Sequence, residues 1–111
     1  MNYTIRQIDE KTIIFDFQPK NVVLSLFLEG DFTVFQDKFL QQIDNVLCGK
    51  ASEEEMCGNA TNVIFKKEET KIEDLYLEGE PTTCTVNTRE LRSLMDEWLK
   101  KRAEFLKRKE R

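Results

Sequence analysis

The last apolar stripe of this 111-residue chain constrains its fold more than any other feature. Leu91, Leu94, Met95, Trp98 and Leu99 recur at i, i+3, i+4, i+7 and i+8, which puts all five on one face of an α-helix. Phe105 and Leu106 continue the face two turns on, with Arg102 interrupting it. Asn87 suits the N-cap, where its side-chain oxygen can take a free backbone N–H of the first turn. Glu90, three residues later, completes a capping box, and Val86 and Leu91 flank it at the spacing of a hydrophobic staple. A helix over about 87–109 is therefore expected. Burying each of the five stripe residues is worth about 1.5–3 kcal/mol, so the rest of the chain must supply a surface that receives them.

That surface reads as a sheet. Residues 3–8 and 11–17 are expected strands, the second with Ile13, Phe15 and Phe17 alternating against Ile14 and Asp16. Gln18-Pro19-Lys20-Asn21 reads as a turn. Val22 to Leu28 is apolar on both faces, the pattern of a central strand, hairpin-paired with the strand before it. Glu29-Gly30-Asp31 breaks the pattern. Thr33 and Gln36 then suggest a second capping box, opening a helix to Cys48 that Gly49 ends.

Residues 50–61 promise a loop. Short strands are expected at 63–65, 75–77 and 83–86, with the charged segment 66–74 as a hairpin loop or exposed edge. The summed order is β-β-β-α-β-β-β-α. It predicts an α+β fold: one antiparallel sheet of about five or six strands, with two helices packed on one face. At this length the chain is expected to be a single domain, 1–111.

Charge is unevenly placed. Residues 100–111 carry seven basic and two acidic residues, whereas the other ninety-nine carry ten and nineteen, a net −9. Within that body, residues 53–80 hold nine acids against three lysines. Such asymmetry bears on partners and encounter rates. The basic tail could touch phosphates, but no aromatic platform accompanies it and the acidic body would repel a polyanion. Cations at a helix C-terminus complement the helix dipole, and no nucleic-acid partner is expected.

Little chemistry is on offer. With no His, neither a Ser-His nor a Cys-His nucleophile can be assembled. The four glycines are isolated and form no phosphate loop. Cys48, Cys57 and Cys84 lack C-x₂-C spacing, and a zinc site would need all three plus a carboxylate or water. They read as free thiols. Catalysis, metal and cofactor are not expected. No apolar run approaches a membrane span and the N-terminus lacks a signal-peptide pattern, so the expected location is the cytoplasm.

The acidic body, the stretch Thr83-Cys84-Thr85-Val86-Asn87-Thr88-Arg89-Glu90-Leu91 and the closing helix with Met95-Asp96-Glu97-Trp98-Leu99 together resemble small immunity proteins of bacterial polymorphic toxin and contact-dependent growth inhibition systems. The resemblance implies a cytoplasmic, stoichiometric, non-catalytic inhibitor that binds the toxin domain made from the neighbouring gene. Nuclease domains are basic because they bind phosphates, so an acidic protein can cover such a site. The pool from which contacts would be drawn is Glu53, Glu54, Glu55, Glu68, Glu69, Glu73, Asp74, Glu78 and Glu80. The alternative reading is a small homo-oligomeric structural or interaction domain of bacterial or phage origin, using strand edges and unplaced rings such as Phe32. Either a monomer or a homodimer is compatible with the sequence.

Overall fold

The computed structural model describes residues 1–79 and 81–109, the side chain of Lys109 excepted. Among these residues the α+β architecture contains six strands in two antiparallel sheets. Strands β1 (Asn2–Asp9) and β2 (Thr12–Gln18) form a hairpin. Then come helix α1 (Val22–Phe27), a π-helical turn (Leu28–Phe32) and helix α2 (Gln36–Leu47). A four-stranded meander follows in the order β3 (Glu53–Cys57), β4 (Thr61–Lys66), β5 (Glu69–Asp74) and β6 (Thr83–Asn87). Helix α3 (Thr88–Lys109) closes the chain.

The closing helix forms as its sequence dictates. The side-chain oxygen of Asn87 accepts the Glu90 N–H at 3.0 Å. Leu91, Leu94, Met95, Trp98 and Phe105 are buried. Trp98, 1% exposed, meets Phe15 of β2 edge-on at 5.1 Å between centroids. Its indole N–H donates to the Thr33 hydroxyl at 2.9 Å, giving the buried ring's polar end the partner it needs.

The meander alternates cleanly. Thr61, Val63 and Phe65 of β4, Thr70 and Ile72 of β5 and Val86 of β6 point inward and are buried. All three helices contact this sheet, and they cover its inward face. One apolar cluster joins it to the hairpin through Phe15, Phe27, Phe39, Phe65 and Trp98.

Six local expectations are corrected. Val22–Leu28 is not a central strand paired with β2, and β2 pairs with β1 instead. The Asn21 side chain caps a helix by accepting the Leu24 N–H at 3.0 Å. That helix is wedged between the hairpin and the meander, in contact with β2, β5 and β6. A helix buried nearly all round shows the same unbroken apolar run as a buried strand. Glu29-Gly30-Asp31 does not end the element but lies in the π-helical turn.

The expected helix 33–48 starts later, at Gln36. Thr33 already has helical backbone angles (φ −63°, ψ −39°), so it cannot serve as an N-cap. Its hydroxyl donates to the Leu28 carbonyl at 2.7 Å. Gly49 does end the helix, in the left-handed region at φ +82°.

The expected loop 50–61 contains edge strand β3. Its inward residues Glu54 and Met56 are only half-buried, so its composition carries little strand signal. The charged segment 66–74 contains β5, a central strand. Its inward side mixes Ile72 with Thr70 and Asp74, which hides the apolar alternation. The expected strand 75–77 is the turn that follows β5. These differences offset one another. Among the described residues there are six antiparallel strands, in two sheets instead of one, with three α-helices instead of two.

Candidate partner-binding face

Among the described residues, none packs over the outer face of the four-stranded meander, most of whose side chains are exposed. Register places the outward residues in three cross-strand rows. The first pairs Glu53 with Lys66 and, across the hairpin turn, Glu69 with Asn87; the second runs from Glu55 through Ile64 and Lys71 to Thr85, and the third from Cys57 through Asn62 and Glu73 to Thr83. Nine of these twelve are exposed; Asn62, Ile64 and Glu73 are half-buried. Four carboxylates face two lysines across this surface. The Lys66 ammonium sits 3.6 Å from Glu53, a solvated pair of small energetic consequence. Asn62 donates to Glu55 at 2.9 Å.

The acidic pool is thus only partly brought together. Glu53, Glu55, Glu69 and Glu73 share the open face. Glu54 points the other way, where its carboxylate accepts from the Asn45 amide at 3.0 Å. Glu68 lies exposed in the turn between β4 and β5, and Glu78 in the connection from β5 to β6. Asp74 is buried, at 7% exposure. Its Oδ1 accepts the N–H groups of Tyr76 and Leu77, each at 2.9 Å, so it shapes a turn. Glu80 lies outside the described residues.

Two features escaped the sequence reading. Asp31, in the π-helical turn, is buried at 4% exposure. Its carboxylate accepts the backbone N–H of Asn59, Ala60 and Thr61 and the Thr61 hydroxyl, at 2.7 to 3.1 Å. It thereby pins the β3–β4 turn to the helical layer. Nothing in a lone Asp beside a glycine announces such a role.

The second feature is the corner after β5, where Leu75 is 46% and Tyr76 73% exposed. The Leu75 N–H reaches the Ala60 carbonyl at 2.8 Å, so this corner abuts the turn that Asp31 holds. Beside it lies an open cleft of about 340 Å³ bordered by Leu26, Glu29, Asp31, Asp74, Tyr76 and Leu77. The side chains around it include three acids and no base.

The cysteines are dispersed and free: Cys48 and Cys57 are exposed and Cys84 is half-buried. Burial pushes the Cys84 thiol up, against a smaller lowering by the Asn21 side chain. Phe32, the ring considered for pairing two copies, is fully buried, 6.0 Å from Phe27. In the tail, Lys100, Lys107 and Arg108 are exposed, while Lys101 and Arg102 are half-buried. No described helix is long and apolar enough to cross a membrane.

A protein of Bacillus cereus named "Immunity protein" is 32% identical to this chain over 88 residues, spanning 78% of this chain and 75% of its own length. The chain belongs to an immunity protein family. No family model matches the sequence, and no solved structure matches it.

Proposed function

We propose that this immunity-family chain neutralises a cognate toxin domain by binding it one to one in the cytoplasm. The similarity to the Bacillus cereus immunity protein carries the reading. The open, acidic sheet face supports it by suggesting how such binding works. Glu53, Glu55, Glu69 and Glu73 stand on a hydrogen-bonded sheet, so their backbone positions are fixed before an encounter. A basic partner, such as a nuclease domain whose own site attracts phosphate, would be steered toward this face. The chain then acts by occlusion, without chemistry of its own. Contact-dependent growth inhibition and other polymorphic toxin systems are the setting in which such a pair is made from adjacent genes.

Co-expression tests this. Cells making the toxic C-terminal domain encoded beside this gene should die, and cells making both proteins should survive and yield a one-to-one complex. A neighbouring domain that is harmless, or that kills despite this protein, would overturn the proposal.

A further inference from the structure

The geometry points to the Leu75–Tyr76 corner as the anchor of the partner contact, seating a basic side chain of the partner against the Tyr76 ring. The inference rests on the binding function proposed above and locates its centre. Isolated exposed apolar residues are ordinary. This corner differs in three ways.

First, two large apolar residues stand side by side, with half-buried Leu77 next to them. Tyrosine is among the residues that dominate binding energy at interfaces, and with two side-chain torsions it is cheap to immobilise. Second, the backbone beneath the ring is held. The N–H of Tyr76 and that of Leu77 both end on the Asp74 carboxylate, and the Leu75 N–H ends on Ala60. The ring is therefore displayed from a fixed base.

Third, the charged residues that flank the corner in sequence and border its cleft are acidic. Glu73 precedes the corner, Glu78 follows it, and Glu29 borders the cleft at its side. No lysine or arginine lines that cleft. An aromatic face attracts a guanidinium or ammonium, and flanking carboxylates add to that attraction. The occupant that fits is an arginine or lysine of the toxin domain, its apolar stem along Leu75 and Leu77 and its charge over Tyr76. The corner lies at the Glu73 end of the acidic face, so steering by that face and anchoring at this corner act on one encounter.

The test uses the full chain and a catalytically inactivated form of the neighbouring toxin domain as the probe. Wild type is expected to bind one to one. Tyr76→Ala should weaken binding by about tenfold or more, mainly through faster dissociation. Tyr76→Phe, which keeps the ring, should stay close to wild type. Glu78→Lys should weaken binding with the fold intact, since Glu78 is exposed. If wild type binds but Tyr76→Ala and Glu78→Lys bind equally well, the anchor is elsewhere and the binding function survives. If wild type does not bind, the proposed function and this inference fall together.

Discussion

Asp31 occupies the space a side chain at Gly58 would need. A Cβ on Gly58 would collide with the Asp31 Oδ2 and lie 2.7 Å from its Cγ. The absence of that Cβ lets the carboxylate reach the N–H groups of Asn59, Ala60 and Thr61. Gly58→Ala should therefore push the carboxylate off its donors and destabilise the fold by about 1–3 kcal/mol. Asp31→Ala should cost a similar amount, by leaving buried donors unpaired. Urea unfolding reads both. Because they break the same contact, the double variant should lose less than the two single losses added. A Gly58→Ala midpoint equal to wild type would remove this tie from the account.

Trp98 ties α3 to the hairpin through Phe15 and to the residue after the π-helical turn through Thr33. Trp98→Ala should cost about 3–5 kcal/mol, a large part of the roughly 5–15 kcal/mol that holds a domain together. Circular dichroism on heating should show a protein mostly unfolded or melting far below wild type. A melting point within a few degrees of wild type would mean the core does not depend on this ring.

Asp74 and Glu73 are adjacent acids with different roles. Asp74→Ala frees two turn N–H groups and should destabilise by about 1–2 kcal/mol. Glu73→Ala, on the outer face, should stay within about 0.5 kcal/mol of wild type. Equal effects in chemical denaturation would contradict the assignment of one to the turn and the other to the surface.

The Tyr3 hydroxyl donates to Glu97 at 2.7 Å. Burial foremost, then the bond to Glu97 and its charge, push the phenol up to about 12 from 10. An acid whose proton is held more tightly when folded adds stability that is complete below the unfolded value and is lost as pH rises. Tyr3 should therefore contribute fully below pH 10 and lose its contribution between 10 and about 12. In ultraviolet titration Glu97→Gln should bring Tyr3 partway down, because burial remains. A Tyr3 titration unchanged by that substitution would contradict the pairing.

The legible parts of the fold were those with a clear apolar period or a distinctive end residue. Helix α3 shows one apolar face and a capping residue, and Gly49 marks the end of α2 by its left-handed backbone; strand β2 was legible from the alternation of Ile13, Phe15 and Phe17, although Ile14 on its other face is buried too. Val22–Leu28 was illegible because burial nearly all round erases periodicity. Strand β5 was illegible because Thr70 and Asp74 face inward with their own partners: the Thr70 hydroxyl meets that of Thr88 at 2.9 Å. The acidity of 53–80 could be read directly, but its sorting could not. Only pairing register shows that Glu53, Glu55, Glu69 and Glu73 share a face while Glu54 and Asp74 turn inward. Tyr76 looked like strand because the apolar run Leu75-Tyr76-Leu77 resembles one; its exposure follows from Asp74 turning the chain.

We propose that the open acidic face steers this protein onto a basic toxin domain. Stopped-flow association with the inactivated domain, across ionic strength, tests it most directly. The wild-type rate should fall steeply as salt rises. A variant with Glu53, Glu55, Glu69 and Glu73 all changed to Lys should associate far more slowly at low salt and lose that dependence. A rate indifferent both to salt and to the four reversals would contradict the account.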